Sequence, residues 1–153
     1  MADFGPHLTK LQRDVSKALD PFGMLKACWG VQRAWLSHPQ ALARQLQELC
    51  SGMAALQMQS VRRLTRTNGH DLVPPAPYDE RFQEPIWNEN PFLDHLKEVY
   101  LLYTRWIEDA IYATPGASNR EREKAGFITR QLLNAIAPSN FFWTNPAAVL
   151  RFL

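Results

Sequence analysis

Two cysteines are the residues best suited to covalent chemistry. Cys28 lies in Lys-Ala-Cys-Trp-Gly and Cys50 in Glu-Leu-Cys-Ser-Gly. In α/β-hydrolases, the nucleophile lies on a strained strand-to-helix turn with a glycine two positions after it. Each of the two cysteines has a glycine at that position. The position two residues before each cysteine is Lys26 or Glu48, where such a turn needs a small residue. Both cysteines also lie within helical patterns, so we predict no catalytic residue here and expect two reduced, buried thiols.

Other residue types that perform chemistry lack the spacing that it requires. The four histidines, His7, His38, His70 and His95, show no HxxxH or HxxE pattern of zinc ligands. Acidic neighbours such as Glu108 and Asp109 point apart on a helix, which disfavours a shared-proton pair. None of the glycines opens a helix within a phosphate-binding loop. The sequence predicts no metal site and no cofactor.

Composition indicates one helical domain without an evident charged partner. The chain has 153 residues, 46% of them hydrophobic, and a formal net charge of +2. That balance does not favour nucleic acid as a partner. No apolar run is long enough for a transmembrane helix, and the start MADFGPHLTK lacks the apolar core of a signal peptide. We therefore predict a cytoplasmic location.

Three helices are predicted before residue 70. The first is amphipathic and covers Pro6 to Leu19; the second begins at Asp20 as N-cap with Pro21 at its first position. The third begins at Ser37 to Pro39 and reaches Asn68-Gly69, roughly 40 Å at 1.5 Å per residue. This rod either crosses its own domain or meets a helix of a second subunit. Its apolar residues form a candidate helix seam: Leu42, Leu46, Leu49, Met53, Leu56 and Leu64.

A proline-rich connector (residues 70–90) follows the long helix. Pro74, Pro75, Pro77 and Pro85 exclude a long helix and weaken any sheet. The connector nevertheless keeps large apolar side chains whose exposure is costly, namely Tyr78, Phe82, Ile86 and Trp87. We expect an extended segment that is strapped across a helical surface.

The C-terminal part predicts two more strong helices. Asn90-Pro91 opens one, which Thr114-Pro115-Gly116 ends, and Ser118 with Glu121 forms a capping box for the next, which Pro138 stops. We expect Phe127, Ile128, Leu132 and Ile136 to face inward. An aromatic turn, residues 141–143, precedes a short helix that begins at Asn145-Pro146 and has no stop signal, so the chain is expected to continue beyond residue 153. The predicted fold is all-α, an irregular domain of about five to six helices with a long proline-rich connector.

Two separated motifs carry a resemblance to a known family. The first reads Asp-x-Arg-Phe-x-x-x-x-Trp-x-x-Asn-Pro, with Asp79, Arg81, Phe82, Trp87, Asn90 and Pro91; the second reads Pro-Ser-Asn-Phe…Thr-Asn-Pro over residues 138–146. In this order they resemble the N-terminal region of bacterial polyhydroxyalkanoate synthases, most like class I. The resemblance divides the chain into a variable helical region at 1–73 and a synthase-type helical region at 74–153.

The resemblance implies an accessory role for this chain. In that family, an acyltransferase polymerises (R)-3-hydroxyacyl-CoA into polyester through a cysteine, a histidine and an aspartate of a C-terminal α/β-hydrolase domain. That domain is absent here, so no catalytic residue carries over. The implied partners are the catalytic domain, a second synthase subunit, and the polymer granule or its coat proteins.

Two questions stay open at the level of sequence. The aromatic segments dock onto a partner or close their own domain; the docking candidates are Phe82, Ile86, Trp87, Phe141, Phe142 and Trp143. The alternative function is a free-standing helical adaptor that uses the helix seam as a coiled-coil contact.

Overall fold

The computed structural model describes residues 17–18, 20–65, 72–77 and 79–141. Five α-helices lie in these ranges: α1 (Met24–Ser37), α2 (Pro39–Leu64), α3 (Ile86–Glu89), α4 (Pro91–Tyr112) and α5 (Asn119–Ala135). Two 3₁₀ turns, Glu80–Phe82 and Pro138–Asn140, complete them, and no strand occurs in the described ranges. The predicted all-α fold is therefore confirmed. The helix expected over Pro6 to Leu19, apart from residues 17 and 18, and the one at Asn145 lie outside the described residues.

The helix ends of the C-terminal part follow local capping chemistry. Asn90 accepts hydrogen bonds from the backbone N–H groups of Phe92 (3.0 Å) and Leu93 (3.3 Å), with Pro91 at the first helical position. Ser118 and Glu121 form the predicted capping box. Gly116 has a φ of 69° in the turn between α4 and α5, a conformation that glycine adopts readily. These predictions are confirmed. The sequence could provide them because each cap depends only on neighbouring residues.

Helix α1 begins later than the sequence indicates. The prediction places Pro21 at the first helical position, but the helix starts at Met24, because Gly23 has a φ of 68° and cannot belong to a right-handed turn. Asp20 still caps the start. Its carboxylate accepts hydrogen bonds from the N–H groups of Met24 (2.7 Å) and Lys26 (2.9 Å).

The long helix α2 lies along its own domain. It is 26 residues long, about 39 Å at the standard rise, and its two ends contact opposite ends of α4. Trp106 donates a hydrogen bond to the carbonyl of Gln45 (2.8 Å), and Ser60 Oγ lies 2.8 Å from His95 Nδ1. The two helices therefore run antiparallel.

The helix seam is mostly used inside the domain. Leu56 is fully buried, Leu42, Leu49 and Met53 are half-buried, and Leu46 is exposed. The side chain of Leu64 and the expected stop at Asn68-Gly69 lie outside the described residues. The rod therefore crosses its own domain, which is one of the two predicted possibilities.

Helix α5 turns a different face inward than its pattern predicts. Phe127, Leu132 and Ile136 are exposed and Ile128 is half-buried, whereas Ala125, Gly126 and Leu133 are buried. A Cβ atom at Gly126 would lie 3.1 Å from the hydroxyl of Tyr112. The side chain of Tyr112 occupies the space beside Gly126, so a small residue is needed there. A rule that places the largest apolar side chains inside fails at such a contact.

The connector is strapped to α4, as expected, but it is not extended throughout. Val73 is buried, the N–H of Leu72 donates to Glu98 Oε1 (3.0 Å), and the Arg105 guanidinium donates to the carbonyl of Pro74. Residues 80–82 and 86–89 instead form a 3₁₀ turn and the short helix α3. Among the described residues, no helix combines the length and the apolar character needed to cross a membrane.

Candidate interaction surfaces

The first motif folds around an ion pair within the connector. The carboxylate of Asp79 accepts from the N–H of Arg81 (3.2 Å), which caps the 3₁₀ turn. The same carboxylate accepts two hydrogen bonds from the Arg81 guanidinium, at 2.7 Å each. These bonds hold the pKa of Asp79 below its usual range and raise the pKa of Arg81. The two-residue spacing of the motif therefore lets Asp79 and Arg81 form a bidentate ion pair.

Arg81 also joins the connector to two helices. Its guanidinium donates to the hydroxyl of Tyr100 in α4 (2.9 Å) and to Asn134 Oδ1 in α5 (3.1 Å). It stacks 5.6 Å from the ring centre of Phe82 and 5.5 Å from that of Tyr100. The Tyr100 hydroxyl donates onward to the carbonyl of Leu133 (3.0 Å), and burial raises its pKa despite the nearby cation. One guanidinium thus organises the contact of three segments.

The aromatic residues of the connector form the main core. Trp87 is 1% exposed and meets Phe82 edge to face, with ring centres 5.0 Å apart. Both pack with Val73, Leu93, Leu101 and Ala137, and Ile86 lies half-buried against this cluster. Two of the six docking candidates are therefore enclosed within the domain, which favours the view that this segment closes its own fold.

A buried charged cluster joins α2, the connector and α4, and sequence reasoning missed it. Lys97 and Glu98 are both 0% exposed. Arg63 of α2 pairs with Asp94 and with Glu98 (3.1 Å), and Lys97 pairs with Asp94 (2.9 Å). Asp94, Lys97 and Glu98 lie three and four positions apart, so all three charges are on one side of α4. This spacing was the sequence signal that could have indicated the cluster. This cluster fixes α2 beside the start of α4.

The described cysteines and histidines do not assemble a reactive centre. Cys28 is half-buried and Cys50 is exposed, so the expected burial of Cys50 is wrong. Burial raises the pKa of the Cys28 thiol, which disfavours the thiolate. Nδ1 of His38 donates to the carbonyl of Ala34 (2.8 Å). Across the described ranges no group of three potential metal ligands occurs.

Among the exposed apolar residues of the described ranges, two groups form stripes along helices. The outer stripe of α1 consists of Leu25, Trp29 and Leu36, which are 59%, 61% and 75% exposed. The α5 stripe consists of Leu132 and Ile136, one turn apart and both exposed. Phe141, a docking candidate, is also exposed, whereas Phe142 and Trp143 lie outside the described residues.

Comparison with known proteins identifies a matching family. Residues 78–153 match the family described as the N-terminus of poly-beta-hydroxybutyrate polymerase. The poly(3-hydroxyalkanoate) polymerase subunit PhaC of Rhizobium etli is 33% identical over 84% of the chain and 21% of its own length. The poly(3-hydroxyalkanoate) polymerase of Methylorubrum extorquens is 36% identical over 85% of the chain and 22% of its own length. No solved structure matches the chain.

The extent of these matches adds to the resemblance. The chain spans about a fifth of the length of the curated relatives that it matches, 21% and 22%. The matched 84% of the chain is larger than residues 78–153 alone. The match to this relative therefore includes much of the N-terminal half of the chain. In that half, neither motif occurs, and the sequence alone indicates a resemblance to the family in helical character only.

Proposed function

Because the chain belongs to the family of poly-beta-hydroxybutyrate polymerase N-termini, we propose that it is the non-catalytic accessory domain of a polyhydroxyalkanoate polymerase. In this proposal the parent enzyme polymerises (R)-3-hydroxyacyl-CoA into polyester and releases CoA. The cysteine, histidine and aspartate of that reaction belong to a catalytic domain outside residues 1–153. Assignment to class I stays a prediction.

The exposed apolar surface is the observation that carries this proposal. The outer stripe of α1 and the α5 stripe leave large side chains in water, although the same domain buries Phe82 and Trp87. Contiguous apolar patches on a folded domain mark contact sites. In the relatives, of which the chain spans about a fifth, further protein mass is available to cover such patches.

We assign the α5 stripe to the catalytic domain. The matched family is an N-terminus, so in the relatives the larger part of the polymerase follows the matched region. Helix α5 and Phe141 are the described features nearest to that junction. A second subunit and the polymer granule or its coat proteins are the further proposed partners, which would place the chain at granules in the cytoplasm.

The alternative, a free-standing adaptor with a coiled-coil seam, gains no support from the described residues. Its central residue Leu56 is fully buried, and Leu42, Leu49 and Met53 are half-buried beside the domain's own helices. A seam whose central residue is enclosed has less apolar area to offer a second chain.

A chimaeric enzyme tests the accessory role. The matched N-terminal region of the Rhizobium etli polymerase is replaced by this chain, and release of CoA from (R)-3-hydroxybutyryl-CoA is measured with a thiol reagent. The chimaera is expected to retain activity, the polymerase without its N-terminal region to lose most of it, and the 153-residue chain alone to show none. CoA release by the isolated chain, or a chimaera no more active than the truncated enzyme, would overturn the proposal.

A further inference from the structure

Helix α1 is apolar on two opposite faces. Ala27 and Val31 face the domain and are buried, whereas Leu25, Trp29 and Leu36 lie on the outer stripe. A helix with apolar residues on two opposite faces is typical of a position between two apolar environments. The larger side chains of α1 are therefore on the outside.

A groove and a slot adjoin this helix. The groove, about 480 Å³, lies between α1 and the start of α2, and the slot, about 330 Å³, continues from it between α1, α2, α4 and α5. Gln32, Trp35 and Leu42 line both, so the two spaces are direct neighbours. Binding sites for small molecules have volumes of about 300–1,000 Å³, and both spaces reach this range.

The lining of the slot suits a hydrocarbon chain. Its walls include the side chains of Trp35, Trp106 and Ile107, and neither space is lined by an aspartate or a glutamate. Cys28 also lines the slot, and since burial raises the pKa of its thiol, it is uncharged at neutral pH. An apolar chain would lose no hydrogen bond by entering.

The mouth of the groove carries a positive charge. Arg33 lines the groove and is exposed. No aspartate or glutamate occurs from Met24 to Gln47, and no ion pair of Arg33 is seen among the described residues. Lys26 of the same helix, in contrast, interacts with Glu121 of α5. Arg33 also differs from Arg81, whose guanidinium is held by Asp79. A ligand with a negative head group would find a partner at Arg33.

We propose that the slot and groove bind an acyl chain with an anionic head group, with the chain between the four helices and the head group at Arg33. A second copy of this chain is a poorer occupant, because a symmetric contact would bring the cations of α1 against one another. The site depends on its lining residues alone, so it can fail while the accessory role holds.

Calorimetric titration of the 153-residue chain with decanoate and with 1-decanol tests the site. Decanoate is expected to bind roughly threefold more tightly than the uncharged alcohol, as fits one exposed charge pair. Gln32→Trp, which places a ring where slot and groove meet, should weaken both ligands at least about tenfold. Arg33→Glu should remove the preference for decanoate and leave 1-decanol unchanged.

A matched control and three outcomes make the test decisive. Gln40→Trp adds the same ring to an exposed position of α2 that lines neither space, and should change neither affinity; circular dichroism confirms that each variant is folded. Equal binding to wild type and Gln32→Trp, or no binding, overturns the proposal. Binding only above the concentration at which decanoate forms micelles overturns it in favour of adsorption to an amphiphile surface. Binding that is lost in the chimaera overturns it in favour of a side chain from the rest of the polymerase.

Discussion

The connector and helix α1 use similar side chains in opposite ways. The connector buries Phe82 and Trp87 and pairs Arg81 with Asp79, whereas α1 exposes Trp29 and Leu36 and carries Arg33, for which no ion pair is seen among the described residues. Aromatic content alone therefore does not mark a docking site. What matters is whether the same domain supplies the apolar and charged partners, as it does for the connector.

The largest expected effect separates the two tryptophans. Trp87→Ala removes a ring from the main core and should lower the free energy of unfolding by about 3–5 kcal/mol. Trp29→Ala, the matched control on α1, should lower it by less than about 1 kcal/mol. Urea unfolding followed by circular dichroism measures both. Equal losses would show that the two regions do not differ in this way.

The buried charged cluster should be nearly as sensitive. Arg63→Met removes the α2 cation from Asp94 and Glu98, and we expect a loss of about 2–4 kcal/mol, because two buried carboxylates lose a partner. Arg44→Met is the control at an exposed position of the same helix and should change stability by less than about 0.5 kcal/mol. A stable Arg63→Met variant would mean that the cluster does not hold α2 in place.

The ion pair of the connector should respond to pH. Asp79 has a pKa below its ordinary value of 3.8 in the folded chain, so its contribution is present above that value and is lost as the pH falls through the folded pKa. Asp79→Asn should therefore lower stability by about 1 kcal/mol at pH 6, and the difference from wild type should shrink below pH 3.8. Unfolding curves across this range give the result; a difference that grows on acidification would contradict the assigned pairing.

The smallest effect is expected on the outer stripe of α1. Leu36→Ser changes an exposed residue and should alter the free energy of unfolding by less than about 0.5 kcal/mol. The same urea titration checks it. A loss of 2 kcal/mol or more, about the amount for a buried leucine, would place Leu36 in the core and remove the contrast with Trp87.

Local features of the fold were predictable from the sequence, and packing was less so. The caps at Asn90 and Ser118 depend on residues within one turn, so their pattern is sufficient. On α5, Gly126 lies against the side chain of Tyr112 in the preceding helix, so the inner face depends on contacts between helices. The prediction for Leu132 and Ile136 was wrong because it placed large apolar side chains inside without knowledge of these contacts.

The candidate surfaces show the same limit. The motif from Asp79 to Pro91 drew attention to residues that prove structurally important, but only the structure shows that Phe82 and Trp87 are enclosed within the domain. The cluster of Arg63, Asp94 and Glu98 was missed because patterning rules place charges outside, and a buried pair depends on contacts 31 and 35 residues apart.

The most direct test of the accessory role measures CoA release by the chimaera with the α5 stripe altered. Leu132→Glu with Ile136→Glu places two charges in the surface assigned to the catalytic domain, and Gln131→Glu places one beside it as the control. We expect the double variant to lose activity by about tenfold or more, since two buried charges oppose the contact. The control should change activity little, and the stability of the isolated chain should stay the same. Full activity of the double variant would show that the α5 stripe does not meet the catalytic domain.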